Sequence, residues 1–421
     1  MKRRIIFDYI RKREESVFNR IFVLTGARQT GKTTIARHCF SGYAYLSIED
    51  PVERYNYLKL TASQWNKFYS KAILDEVQKE PVLIESIKSV YDQFEESRYV
   101  LLGSSQFLLM EKVKESLAGR CIIIDLYPLT LPELISSGVE DSMDTSYFFK
   151  YANGEITTED IYPSFSMDPL YAVKTGTYDY YRRFGGYPAL TNEAFSDEDR
   201  YEWLEMYIRT FLERDIRDLA SFRDLEPFIK LLRYMANTTA ELANFSSIAK
   251  ETGVSIPTVQ RYIKYMEISY QAIFLPAWFS NPIKKLIKSP KIHFMDYGVL
   301  QSILQKRGEP TGNEYESIII SEIYKQIKTY RLPLTCYHLR TQGGKEIDML
   351  LEAADYFIAA QHNIPSWVRD FGRETVLHAL AVERTVDCPF FRKVVRSLFD
   401  VFRIFTYIDD DHGYTSRFYF T

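Results

Sequence analysis

The sequence predicts an α/β protein whose N-terminal part is a parallel sheet covered by helices. Three observations predict it. Gly26, Gly31, Lys32 and Thr33 satisfy G-x-x-x-x-G-K-[ST] between an apolar run at 21–24 and a helical stretch at 33–40. Further apolar runs at 43–46, 71–74, 99–102 and 121–126 alternate with helical stretches at 51–58, 82–94 and 106–117. The run at 71–74 ends in two acids, Asp75 and Glu76.

The residues from Gly26 to Thr34 (Gly26, Ala27, Arg28, Gln29, Thr30, Gly31, Lys32, Thr33, Thr34) read as a phosphate-binding loop. Backbone N–H groups of such a loop wrap phosphates, and the following helix adds its positive end. Lys32 is placed to reach the β- and γ-phosphates of ATP, and the Thr33 hydroxyl to hold Mg²⁺. The competing reading is a glycine-rich turn with a chance lysine, and the strand before and helix after weigh against it. Asp75 and Glu76 form a Walker B arrangement, in which Asp75 positions the metal and Glu76 polarises the attacking water. Without the loop, two acids after a strand would be a solvated turn.

The run at 99–102 leads to Gly103, Ser104 and Ser105. Ser104 is the candidate for contacting the γ-phosphate or its water, although a serine here also suits a helix N-cap. Arg120 stands directly before the last run, either as an ordinary ion-pairing arginine or as a group reaching a neighbouring subunit's nucleotide.

Composition bounds the rest. The 421 residues allow two to four domains. Hydrophobic residues at 46% and charged residues at 26% are ordinary for a globular protein, so a disordered or collagenous chain is excluded. The net charge of −3 excludes no partner. The 32 Tyr and 28 Phe are an excess without a functional reading. Cys39, Cys121, Cys336 and Cys388 lack C-x-x-C spacing, which suggests reduced thiols. No apolar run reaches the roughly 20 residues that span a bilayer, and the first residues lack a secretory core. The expectation is a soluble cytoplasmic protein without a membrane role.

Gly-Ala-Arg-Gln-Thr-Gly-Lys-Thr-Thr (26–34), Leu-Asp-Glu-Val-Gln (74–78), Leu-Leu-Gly-Ser-Ser (101–105), Leu-Ala-Gly-Arg (117–120) and Tyr-Pro-Leu-Thr-Leu-Pro-Glu-Leu (127–134) together resemble a group of prokaryotic AAA-type ATPases with a C-terminal domain of unknown function. The resemblance implies a sheet ordered 5-1-4-3-2. It also implies a winged-helix domain and a restriction-endonuclease-like domain of PD-(D/E)xK type. Domains are expected at 1–137 (ATPase), 138–180 (acidic insertion), 181–306 (helical and winged helix) and 307–421 (nuclease-like).

Residues 137–180 carry eight acids against two lysines, without a persistent helical or strand period, and read as a flexible insertion. Gly185 and Gly186 before Tyr187-Pro188 suggest a turn into a helix at 198–218. Residues 245–267 read as helix, Gly253 turn, helix. The runs 272–275 and 284–291 would supply strands and a wing. Seven Lys/Arg against two Glu over 245–292 make a basic footprint. Ser255, Thr258, Gln260, Arg261, Lys264, Lys284 and Lys285 are candidates for DNA, and a docking surface for protein is the alternative.

In the nuclease family a helix Glu, a strand Asp and a following E-x-K hold a metal. Glu316 and Asp348 match the first two, while Gln361 and Asn363 occupy the E-x-K positions. Gln361 supplies no second carboxylate for a hard cation, and Asn363 supplies no ammonium. The expectation is a degenerate nuclease fold used for binding or assembly. Residues 402–407 and 414–420 read as a hairpin around a solvated Asp409–Gly413 turn. The combined expectation is a Mg²⁺-dependent ATPase acting on DNA or a protein client, with a possible homo-oligomer. The alternatives are a nucleotide-tuned DNA-binding regulator and an ATP-regulated nuclease.

Overall fold

The computed structural model describes residues 1–16, 20–103, 106–143, 145–156, 169–216, 224–279, 289–340, 346–354, 356–360 and 380–383. The chain divides into two compact units, Met1–Pro333 and Leu334–Thr421.

The first unit begins with α1 (Ile6–Glu14), β1 (Ile21–Gly26), α2 (Lys32–Cys39), β2 (Ala44–Ser47), α3 (Pro51–Leu58), α4 (Ala62–Phe68) and β3 (Lys71–Asp75). It continues with α5 (Val82–Gln93), β4 (Arg98–Leu102), α6 (Gln106–Ser116), β5 (Cys121–Leu126) and α7 (Leu131–Ile135). The five strands are parallel and ordered β2-β3-β4-β1-β5, the order expected. Alternation along each strand explains why both faces need helices. Ile21 and Val23 point to one core with Trp65 of α4 and Ile84, Ile87 and Val90 of α5. Phe22 and Leu24 point to the other, with Ile6, Phe7 and Ile10 of α1, Ile35 of α2 and Phe40 just after it. Burial pushes the Cys39 and Cys121 thiols up to about 12 and about 11, so neutral pH leaves them as thiols.

Two helices fall in the stretch expected to be a flexible insertion: α8 (Tyr147–Ala152) and α9 (Tyr171–Phe184). Against the expected lack of helical period, α9 begins inside that stretch, and the buried Tyr181 and Phe184 that anchor it lie just beyond its end at 180. α10 (Asp197–Thr210) gives way to one π-helical turn at Phe211–Asp215. Next come α11 (Glu226–Asn237), α12 (Phe245–Thr252), α13 (Ile256–Ile268), β6 (Ala272–Leu275), β7 (Lys291–Phe294), α14 (Tyr297–Leu304) and α15 (Gly312–Tyr330).

α12 and α13 are two helices on either side of a turn at Gly253, where the sequence places them. Gly253 takes the left-handed conformation that closes α12, and Ser255 caps α13 through Thr258 N at 3.3 Å. β6 and β7 pair antiparallel behind it. The aromatic excess now has a structural place: Tyr181, Phe184, Tyr187, Tyr207, Phe211, Phe228, Tyr262, Phe294 and Tyr297 build the core of this helical part. Ile318 of α15 joins the same core, which is why that helix falls in the first unit and not beyond 306 as expected.

The second unit is an antiparallel meander of β8 (Thr335–Arg340), β9 (Glu346–Glu352), β10 (Tyr356–Ala360) and β11 (Leu380–Glu383), in the order β11-β10-β9-β8. The hairpin expected near 402–420 lies outside the described residues. Among the described residues, no helix is long and apolar enough to cross a membrane.

Candidate nucleotide site

The loop after β1 is shaped by its own glycines and threonine. Gly26 has φ 137°, and a Cβ there would lie 2.1 Å from the Leu126 carbonyl oxygen of β5, so only glycine fits. Gln29 and Gly31 also take positive φ, at 62° and 89°. The fully buried Thr30 hydroxyl donates to the Ala27 carbonyl at 2.9 Å and closes the loop. Lys32, 9% exposed, folds over it and donates to the carbonyls of Gly26 at 3.0 Å and Ala27 at 2.7 Å. Arg28 is half-buried, and Gln29 and Thr34 are exposed.

The end of β3 meets this loop. The Thr33 hydroxyl donates to Asp75 Oδ2 at 2.8 Å, joining the loop directly to the end of β3. A hydroxyl and a carboxylate side by side are the oxygen ligands that a hard cation such as Mg²⁺ takes. The Thr33 and Asp75 oxygens therefore fit that metal. Tyr45, on neighbouring β2, donates to the same Asp75 oxygen at 2.7 Å. Burial and then the Asp75 carboxylate push the Tyr45 phenol up to about 12, which keeps it a donor.

Glu76 adopts a left-handed conformation, φ 60° and ψ 36°, uncommon for a side chain of its kind. Gln78 Nε2 donates to Glu76 Oε2 at 2.5 Å. A Cβ on Gly103 would fall 2.4 Å from Gln78 Oε1, so the ends of β3 and β4 meet through this glutamine. Ser104, the expected γ-phosphate contact, lies outside the described residues.

Sequence reading missed Tyr45, Gln78 and Arg4. Arg4 is 3% exposed, and its guanidinium donates to the Thr30 carbonyl of the loop at 3.1 Å, to Glu133 Oε1 at 3.0 Å and to the Tyr127 carbonyl at 2.8 Å. The only signal in the sequence was Glu133, three residues after Thr130 in a capping-box pattern.

Arg120 lies before β5, whose register with β1 runs from Ile21↔Cys121 to Gly26↔Leu126. It is therefore at the end of the sheet away from its own loop, about 20 Å along the strands. Its Nε donates to Asp92 Oδ1 at 3.0 Å, so within this chain it is an ion-pairing arginine.

On α13, Arg261 and Lys264 are exposed beside Gln260, and Lys264 pairs with Glu267 at 2.7 Å. Lys284 and Lys285 lie outside the described residues. Lys291 does not belong to a basic surface as expected. It is 3% exposed in β7 and pairs with Glu316 Oε1 at 2.6 Å. That pair also engages the Glu316 carboxylate expected in a nuclease centre and ties α15 to β7. Asp348 sits mid-strand in β9, 8% exposed, in the other compact unit from Glu316. Gln361 and Asn363 lie outside the described residues.

Sheet order, loop and acid pair together fit a P-loop ATPase domain. Residues 18–135 match the family described as "AAA domain", and residues 175–309 match a "Domain of unknown function". Curated relatives include an uncharacterized protein of Mycobacterium bovis, 26% identical over 342 residues, covering 79% of this chain and 67% of that protein. An uncharacterized protein of Haemophilus influenzae is 21% identical and covers 81% of this chain and 82% of its own. Among solved structures, the Walker-type ATPase of Pyrococcus abyssi matches at 14% identity with a TM-score of 0.44, over 70% of this chain and 95% of that one. At that score the fold assignment rests on the strand order and not on the superposition.

Proposed function

We propose that this chain is a Mg²⁺-dependent ATPase that couples its nucleotide state to a DNA or protein partner. The observation that carries the reading is the 2.8 Å bond from Thr33 to Asp75, which brings the loop hydroxyl and the strand-end acid to one point beside Glu76. The loop N–H groups and the α2 N-terminus receive the phosphates. The Lys32 ammonium exchanges the Gly26 and Ala27 carbonyls for phosphate oxygens, replacing neutral acceptors by charged ones. Thr33 and Asp75 would hold Mg²⁺, which would supply positive charge to offset that of the phosphates. Glu76 accepts a hydrogen bond from the attacking water, and Gln78 sets the orientation of its carboxylate. Purified full-length chain is expected to release phosphate from ATP with Mg²⁺ and to stop when EDTA removes the metal. Equal release in EDTA would reject the metal assignment.

Arg120 could serve only a neighbouring copy's nucleotide, and only after its Asp92 pair opens. The second unit is proposed as a binding or assembly module without cleavage, because Gln361 and Asn363 replace the second carboxylate and the lysine of the resembled nuclease.

A second reading, a nucleotide-tuned DNA-binding regulator, is favoured by the helix–turn–helix and the exposed Gln260, Arg261 and Lys264 on α13. DNA affinity should then fall steeply with salt, because released counterions drive binding. Replacing Arg261, Lys264, Lys284 and Lys285 by Ala should lower the slope of log K against log salt by up to about 0.9 for each phosphate no longer neutralised. Absence of DNA binding at low salt, with and without ATP, would leave the protein-partner reading standing alone.

A further inference from the structure

Arg4 uses three donor positions on three separate stretches of backbone and side chain. Nη1 holds the Thr30 carbonyl in the phosphate loop, Nη2 the Tyr127 carbonyl, and Nε the Glu133 carboxylate. A planar guanidinium spreads that fork over three nitrogens; an ammonium carries its three donors on one atom and does not span the same three stretches. Glu133 is fully buried and divides its two oxygens. Oε1 accepts from Arg4 Nε and from Ile5 N at 2.9 Å, and Oε2 accepts from Thr130 N at 2.9 Å and Thr130 Oγ1 at 3.2 Å.

The residues on either side of Thr130 bond in the opposite direction, to the helical part. Leu129 N donates to the Gly186 carbonyl at 2.6 Å, and Leu129 O accepts from Lys325 Nζ at 3.0 Å. Leu131 N donates to Glu322 Oε1 at 2.8 Å. A Cβ at Gly186 would lie 2.3 Å from the Leu129 oxygen, so the two backbones touch. Gly186 N in turn donates to Asp296 Oδ2 at 2.7 Å, and Asp296 Oδ1 caps α14 through Val299 N at 3.2 Å. Nearby, the Tyr127 ring meets Tyr270, just beyond α13, edge-on at 5.3 Å. The Tyr270 hydroxyl also donates to Asp125 of β5. Every one of these groups lies in the first compact unit.

We propose that Arg4 and Glu133 are positioning residues that join the phosphate loop to the segment 127–131, and that this segment carries the nucleotide state to α14 and the helix–turn–helix. The proposal rests on the nucleotide reading of the loop. Lys32 holds the carbonyls at one end of the loop and Arg4 holds the Thr30 carbonyl at the other. Moving Lys32 onto phosphate frees the first end, and any resulting shift of Thr30 pulls on a rigid, three-point guanidinium. Close packing leaves the 129–131 backbone no slack to absorb that shift, because Gly186 is in contact with it. Coupled sites respond by discrete rearrangement of such contacts, with coupling typically of about 5-fold or more.

The test is hydrogen–deuterium exchange on the full chain, with ADP, with a non-hydrolysable ATP analogue and with neither, in the parent, Arg4→Lys and Glu133→Gln. The parent should change exchange in 26–33, and also in 129–131, 186–190, α14 and α13, with distal opening altered about 5-fold or more. In both variants the change in 26–33 should persist while the distal change falls below that level. A parent that responds in 26–33 but nowhere distal overturns the relay and leaves the nucleotide reading intact. A distal response undiminished in both variants overturns it too. A parent with no response in 26–33 rejects the nucleotide reading and the relay with it. The parent alone can overturn the proposal, so the conclusion does not require that the variants fold well.

Discussion

Glu76→Gln should keep ATP bound and lose its turnover, while Lys32→Ala should weaken ATP binding itself. The two side chains act at different stages. Lys32 is already desolvated, with its ammonium on the Gly26 and Ala27 carbonyls, so exchange for phosphate gains charge without a new desolvation cost. Hydrogen bonds to charged groups contribute about 1.5–3 kcal/mol, which converts to roughly 10–100-fold in affinity. Glu76 follows Asp75 directly at the end of β3. Its oxygen is held by Gln78 and its backbone stands in a left-handed turn, an arrangement suited to presenting a base. Removing a general base costs about 10²–10⁴-fold in the chemical step. The amide of Gln preserves size and so leaves binding in place. Turnover in Glu76→Gln equal to the parent rate would remove Glu76 from the mechanism.

The largest stability effect is expected at Lys325. This lysine is 0% exposed, and its Nζ sits 3.0 Å from the Leu129 carbonyl, 2.8 Å from the Tyr181 hydroxyl and 3.0 Å from Glu322 Oε2. Burial by itself would lower its pKa; the charges of Glu322, Tyr181 and Asp296 outweigh that and hold it above its ordinary value. Burial pushes the neighbouring Asp296 carboxyl up, against the lowering pull of Lys325 and of the backbone N–H groups it accepts. The cluster is therefore balanced around one cation. Lys325→Met keeps the stem volume and deletes the charge, leaving the Glu322 carboxylate and the Leu129 carbonyl short of a donor. Breaking a buried pair by removing one partner typically costs about 3–5 kcal/mol. Denaturant unfolding of the two proteins measures it, and a loss under about 1 kcal/mol would mean that the cluster reorganises around the gap.

The nucleotide site was largely legible in the sequence because its chemistry is local. The strand, glycines, lysine and threonine of 21–34 are contiguous, and the acids follow their own strand. What sequence reading could not reach were partners far apart along the chain. Arg4 finds Glu133 across 129 residues, and Gly186 finds Asp296 across 110. A lysine in a basic stretch reads as surface, yet Lys291 is enclosed between β7 and α15 with Glu316 as its counter-ion. The acidic residues before it likewise concealed the start of α9, whose anchors Tyr181 and Phe184 stand just past that stretch. Net charge reports on solvent-facing positions, and one apolar stripe is enough to fix a helix.

The central claim is that the loop from Gly26 to Thr34 is a nucleotide site governed by Lys32. Equilibrium titration of ATP with Mg²⁺ into the parent and into Lys32→Ala tests it most directly. Saturable binding by the parent, weakened about 10–100-fold in the variant, is the predicted result. No binding by the parent, or equal affinity in the two proteins, would contradict it.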